Sequence, residues 1–299
     1  ATGDAQARAG ALLSATETFL RAAGIARRIG AGSQLARAAL GYGGRFMWAR
    51  AGSDPHLVPM LQDALVLLGG SDDHLRVRML SRLAGALRSS PDRERSAALS
   101  QQAVEMARGL DDPSTLASAL MGRFGAVWWP ENPEERLEIG RELLRVAEEA
   151  RDAERVVDGY ITTYFALTEL GWIAEARTQL QAMEKVAEEL RQPAQMWLVW
   201  SLSAQLAVLG GDFGTAEGLI REALRLSPTT PIRDNLSVAR FQLYLLRRDQ
   251  GRGSEVEEAV RTSIREFPWY PIFRGALACL LIDLDRLDEA TSVIADLAR

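Results

Sequence analysis

One short pattern returns every 40 residues. Leu40, Leu80, Leu120, Tyr160, Trp200 and Arg240 stand at that spacing, and Gly171, Gly211 and Gly251 keep the same interval. A recurrence of about 20–50 residues marks stacked supersecondary units, because one unit cannot bury its apolar face without a neighbour. Along every long stretch the apolar residues follow helical spacing, and none sustains the period-two alternation of a strand. The eleven prolines agree. Pro55, Pro91, Pro113, Pro130, Pro133, Pro193, Pro228, Pro231, Pro268 and Pro271 fall between helices or at their starts, where a missing N–H is harmless, and Pro59 falls in a first turn. The spacing predicts helix pairs at 34–49/56–69, 74–89/93–110, 113–128/133–150, 153–170/172–190, 193–209/212–227, 234–250/253–267 and 271–284/287–298. Short loops make neighbours antiparallel.

The spacing inside each pair resembles the tetratricopeptide repeat, which places a large, a leucine-type, a small and an aromatic residue at offsets 0, 3, 4 and 7 of its first helix. The fourth pair reads Val157, Tyr160, Ile161, Tyr164; the fifth Trp197, Trp200, Ser201, Ala204; the sixth Ser237, Arg240, Phe241, Tyr244; the last Arg274, Leu277, Ala278, Leu281. In the second helices Ala176, Ala216 and Ala290 hold the small position and Val256 departs from it. From residue 256 to 290 the period shortens to 34, the family's own value. The resemblance implies an all-α, right-handed superhelical solenoid of antiparallel helix pairs, built from degenerate, extended repeats. It spans 1–299 as a single solenoid: 34–299 supply about seven pairs, and 1–33 a partial or capping repeat. A step of 40 back from Leu40 falls before the first residue, so the segment around ETFLRAAGIARRIG reads as the second helix of a repeat whose first helix is largely missing. That predicts a C-terminal piece of a larger protein, against the alternative of a natural capping helix.

Composition narrows the function classes. The net charge of −5 and a pI near 5.4 argue against a nucleic-acid binder, which needs a basic face. Lys185 is the sole lysine, against 34 arginines, so no P-loop can form, and its charged helix context (EKVAEELR) disfavours a Schiff base. Cys279 is the sole cysteine, which excludes an internal disulfide and suits a cytoplasmic location. No apolar run reaches the roughly 18 residues of a membrane span, and no secretory leader is visible.

The stretches LARAALGYGG, LRVRMLSRLAGAL, ENPEERLEIGRELLRVAEEARD, LGGDFGTAEGLIREALRL and LDRLDEA are similar to the helical-repeat region of large ATP-dependent LuxR-type activators of the maltose-activator kind, and of ATPase-coupled cyclases. The similarity covers nearly the whole chain. In that family an ATPase module precedes the repeats and a helix-turn-helix can follow. This chain has neither a Walker sequence nor a recognisable DNA-reading helix. The resemblance therefore implies a non-catalytic sensor or interaction region of a transcriptional regulator, with ATP and DNA handled elsewhere and no cofactor of its own. A free-standing scaffold is the alternative. An enzyme is a third class, but no nucleophile–base pair, metal-ligand set or paired carboxylate stands out.

In this repeat class the first helices line a concave groove. Its expected positions are Leu35, Ala38, Tyr42, Arg45 and Phe46 in the first pair and Leu75, Arg78, Arg82, Gly85 and Ala86 in the second. The third supplies Thr115, Ser118, Gly122, Gly125 and Ala126, the fourth Arg155, Asp158, Thr162, Phe165 and Ala166. Gln195, Gln205, Asn235 and Gln242 follow among leucines and a valine. Gly85, Ala86, Gly122, Gly125 and Ala126 would leave a hollow rimmed by Tyr42, Arg45, Phe46, Arg78 and Arg82. Guanidinium forks suit a carboxylate or phosphate, so the expected occupant is an anionic or partly aromatic effector, or a protein segment. The competing reading has the glycines serving close helix packing and the arginines paired with nearby carboxylates. No Lys/Asn clamp for a peptide C-terminus is present. The exposed end of such a stack leaves room for a homodimer.

Weaker features are read structurally. Gly41-Tyr42-Gly43-Gly44 resembles a phosphate loop but lies in a helical pattern. Trp128 and Trp129 are expected partly buried, His56 and His74 at the surface near helix starts, and Cys279 buried. Asp283, Asp285 and Asp288 lack the glycine and distal glutamate of a calcium loop and are expected to decorate a turn.

Overall fold

The structure, a computed structural model, describes residues 2–8, 11–44, 54–70, 72–88, 92–227, 235–268 and 270–298. Among these residues there are sixteen α-helices and no strand. The chain divides into two compact units, residues 1–195 and 196–299. Unit 1 holds α1 (Thr2–Arg8), α2 (Leu12–Arg28), α3 (Gly32–Gly43), α4 (Leu57–Leu68), α5 (Asp73–Ala86), α6 (Arg93–Arg108), α7 (Pro113–Ala126), α8 (Pro133–Glu149), α9 (Ala153–Glu169), α10 (Ile173–Leu190) and the opening of α11 (Pro193–Leu209). Unit 2 holds the rest of α11, α12 (Phe213–Leu226), α13 (Asn235–Asp249), a 3-10 turn (Gly253–Val256), α14 (Glu257–Glu266), α15 (Ile272–Asp283) and α16 (Leu287–Leu297).

The turns explain the period. Asp72, Asp92, Asp112, Asp152 and Asp212 are spaced by multiples of 20, and each caps a helix by accepting from an N–H of its first turn, at Leu75, Arg95, Ser114 and Thr115, Arg155 and Thr215. One residue before Asp112, Asp152 and Asp212, and before Trp172, Gln192 and Arg252 at the equivalent turns, Asp111, Arg151, Gly211, Gly171, Arg191 and Gly251 adopt positive φ between 49° and 76°. Around most of them the hydrogen bonds form a Schellman motif: Asp152 N–H donates to Ala147 O at 3.0 Å, Trp172 to Leu167 at 2.8 Å, and Asp212 to Ala207 at 2.9 Å. A helix of 17 residues, as in α8, α9 and α11, plus this three-residue reversal makes 20, and a pair makes 40. Helix boundaries lie within a few residues of those predicted. The chief differences are α5 and α7, which stop at Ala86 and Ala126, and α3, which stops at Gly43.

In unit 1 consecutive helices pack side by side, and the first helices of successive pairs, α3, α5, α7 and α9, also adjoin. Two apolar clusters run through it, one around Leu35, Leu57, Leu61 and Leu83, the other around Leu80, Leu120, Phe124 and Leu143. The offset-7 residues of the repeat, Ala84, Phe124 and Tyr164, are fully buried, which is why this position sets the register. In unit 2 the equivalent Ala204 and Tyr244 are buried too, the latter with Val260, Leu277 and Leu280. Arginine–carboxylate pairs join helices of different repeats. Arg136, wholly buried, holds Glu169 with both terminal nitrogens and donates from Nε to Asn132 O at 3.2 Å. Arg247 grips Glu217 at 2.8 Å, and Arg286 reaches Glu257 at 2.8 Å.

Candidate functional site

The first helices of unit 1 present one side chain each at a matching position. Arg78, Ser118 and Asp158 recur at 40, each between core residues: Val77 and Met79, Ala117 and Ala119, Val157 and Gly159. Arg37, between the buried Ala36 and Ala38, belongs to this row. The sequence frame assigned Ala38 there, because α3 is shifted by one residue from the strict 40-residue beat. The signal was the burial alternation around residue 37, which periodicity of large residues alone does not show. Arg37 and Arg78 are exposed and make no hydrogen bond or ion pair among the described residues. Desolvation, then the positive charges of Arg155 and Arg37, pushes Arg78 below the usual guanidinium pKa, although much of the residue reaches solvent.

Arg155 is mostly buried and held by the buried Asp158, Nη1 to Oδ2 at 2.8 Å. Thr162 donates to the Asp158 carbonyl at 2.8 Å. At the start of α7, Asp112 accepts from Thr115, whose hydroxyl with two backbone N–H groups holds that carboxyl below its usual range. His74 Nδ1 lies 3.1 Å from the Thr115 hydroxyl and 3.3 Å from Asp112. His74 is exposed as expected, but this carboxylate neighbour was not foreseen, because it comes from the next repeat.

Other candidates turn inward. Arg82 is buried and donates from Nη2 to the Gly43 carbonyl. A Cβ at Gly43 would lie 2.6 Å from Arg82 Nε, so the glycine makes room for that guanidinium. Tyr42 is buried and donates to Asp54 Oδ2 at 2.7 Å. Arg45 and Phe46 lie outside the described residues. The glycines expected to leave a hollow bring helices together instead. A Cβ on Gly122 would lie 2.7 Å from Ser81 Cα, and one on Gly125 would lie 3.7 Å from Gly85 Cα. Phe165 packs on Trp128 at 5.0 Å.

Gln195 is buried, and its Oε1 has no hydrogen-bond partner among the described residues. In unit 2, Gln242 donates to the Ser201 carbonyl at 2.7 Å and accepts from its hydroxyl at 3.2 Å, fastening α13 to α11. Asn235 is fully buried at the start of α13, and Gln205 is half-buried.

Trp128 and Trp129 are half-buried, each under a guanidinium: Arg88 at 4.8 Å and Arg93 at 3.5 Å from the ring centroids. Cys279 is exposed, not buried, because it lies on the outward side of α15 between the buried Ala278 and Leu280. Asp285 sits at positive φ in the α15–α16 turn, and Asp283 pairs with Arg248 at 2.6 Å. Among the described residues no group of three or more His, Cys, Asp or Glu stands close enough for a metal ion. No helix among them is long and apolar enough to cross a membrane. A cleft of about 310 Å³ lies away from the arginine row, between α2 and the start of α4, lined by Leu20, Gly24, Arg27, His56 and Met60 among others.

The arrangement of helices is similar to that of two solved structures. One is a Rap protein complexed with competence and sporulation factor, at 15% identity and a TM-score of 0.62, over 81% of this chain and 68% of that one. The other is the apo form of RapI, at 11% identity and a TM-score of 0.60, over 81% and 69%. This chain resembles Rap proteins in fold. At such identities the likeness concerns the helical-repeat architecture alone. No protein-family model matches the chain, and no curated protein matches it in sequence.

Proposed function

We propose that this chain is a non-catalytic binding module whose partner face is formed by α3, α5, α7 and α9. The carrying observation is the row Arg37, Arg78, Ser118 and Asp158, one residue from each first helix, with Arg155 fixed beside it by Asp158. Four helices that align polar groups at one position, exposed on α3 and α5, half-buried on α7 and buried on α9, while their other faces build the core, make a continuous recognition strip. The fold likeness to a Rap protein complexed with competence and sporulation factor supports the same reading. The resemblance in sequence to LuxR-type regulators supports reading the module as the sensing or interaction region of a cytoplasmic transcription regulator. A free-standing scaffold is the second reading.

A photo-crosslinking amino acid at Ser118 tests the face, with the same group at Thr178, exposed on the second helix α10, as the control. A discrete adduct in cells from position 118 and none from 178 is the expected result. Equal labelling from both, or none from 118, would remove this face from consideration. A small effector would instead raise the melting temperature without an adduct, by about 2.7 kcal/mol of stabilisation at a hundredfold excess over Kd.

A further inference from the structure

We infer that Arg37, Arg78 and Arg155 form a guanidinium row that takes the carboxylate side chains of an extended acidic segment of a partner protein. This rests on the reading of α3, α5, α7 and α9 as the partner face and adds the chemistry of the ligand. Three observations meet in it. Arg37 and Arg78 hold equivalent positions on adjoining helices, both exposed and without an ion pair among the described residues. Several arginines elsewhere are tied to carboxylates of other repeats, as Arg108 is to Glu142 at 3.0 Å and Arg136 to Glu169. The like charges of Arg37 and Arg155 both act on Arg78, and their push exceeds the pull of Asp112 and Asp72. An arriving carboxylate relieves that repulsion.

Geometry selects a chain over a small anion. The three guanidiniums come from α3, α5 and α9, and packed helices are spaced by about 8–10 Å. A ligand that meets all three guanidiniums must cross from α3 to α9. In an extended segment, side chains on one face recur every ~7 Å, within reach of flexible arginine arms on successive helices. Asp158, itself buried, keeps the Arg155 guanidinium in place before the ligand arrives.

The test is fluorescence anisotropy of the full chain with fluorescein-labelled hexaglutamate, using hexaglutamine and inorganic pyrophosphate as competitors. Hexaglutamate should bind in a salt-sensitive way. Arg37→Ala and Arg78→Ala should each weaken it roughly 10- to 100-fold, the range for a lost charge-assisted hydrogen bond. Arg265→Ala, which removes a surface pair with Glu258 in unit 2, should leave it unchanged. Both substituted arginines of the row are exposed, so unchanged melting curves identify folded variants. Absent binding, equal competition by hexaglutamine, displacement by pyrophosphate at equal concentration, or full binding by the Arg37→Ala/Arg78→Ala variant overturns the inference. A crosslinked adduct at Ser118 that survives in that double variant would leave the partner face standing and the acidic ligand refuted. Absence of the adduct in the unsubstituted chain would refute the face itself.

Discussion

Gly122→Ala asks whether the first helices of unit 1 touch through their backbones. Gly122 lies in the middle of α7, and its missing Cβ would sit 2.7 Å from Ser81 Cα and Cβ and 2.9 Å from Ser81 O on α5, where ordinary contact needs 3.4–4 Å. The obstruction is backbone, so no rotamer change relieves it, and α7 must move away from α5. Overpacking of this kind costs about 1–3 kcal/mol, while alanine returns about 1 kcal/mol of helix propensity. The net expectation is a loss of up to about 2 kcal/mol, which for a unit of this size is a melting decrease of up to about 6 °C. Gly24→Ala in α2 is the matched control, because the nearest atom to its Cβ would be Arg28 Nη1 at 3.9 Å, the end of a flexible side chain. The same chemical change there should stabilise by about 0.5–1 kcal/mol. Far-UV circular dichroism melts of both variants make the comparison, with amide exchange at Ser81 reporting where the packing loosens. If Gly122→Ala melts as high as Gly24→Ala, the helices are not in backbone contact and the account of the missing hollow is wrong.

Three further outcomes are expected. Arg191 holds a positive φ of 51° at the end of α10, so Arg191→Gly should raise stability by about 0.5 kcal/mol. Gly211→Ala, at φ 74°, should lower it by about 1 kcal/mol, and reversed signs in denaturant titrations would contradict the turn geometry. Arg136→Ala should cost about 2–3 kcal/mol by emptying a buried site and stripping Glu169 of its partner, and Arg136→Met clearly less, since Glu169 can reach water; equal losses would show that volume plays no part. The hydrogen bond from Arg247 holds Glu217 below the ordinary carboxyl range, and Arg261 and then Arg286 do the same for Glu257. A carboxyl depressed in the folded state adds stability above its unfolded pKa and loses it as pH falls through the folded value. Unit 2 should therefore melt lower on acidification below about pH 5, and Glu217→Gln should flatten that slope; an unchanged slope would exclude this pair as a contributor.

Much of the architecture was legible in the sequence because it is local. The residues that end one helix and cap the next recur at fixed spacing, and their conformations follow from their own chemistry. Gly171, Gly211 and Gly251 tolerate positive φ, and Asp112, Asp152 and Asp212 accept from the first turn of a helix. The helices, their order and the 40-residue period could therefore be read without a neighbour in view. The similarity in fold to Rap proteins agrees with that reading, whereas the regulator context rests on sequence resemblance alone.

What the chain does with its polar groups was decided only by packing. Arg78 and Arg82 are one turn apart on α5, and both were read as groove residues. One is exposed among like charges, and the other is buried against the Gly43 carbonyl. Gly122 and Gly125 look like space in a sequence and are contact in the structure. Arg37 joins the row of Arg78, Ser118 and Asp158 only because α3 sits one residue out of register with the later repeats, and His74 meets Asp112 only because α5 lies beside α7. A helix's apolar stripe and caps are encoded within some twenty residues. Which neighbour approaches each polar side chain depends on how helices 40 residues apart settle against one another, and that was fixed only when they packed.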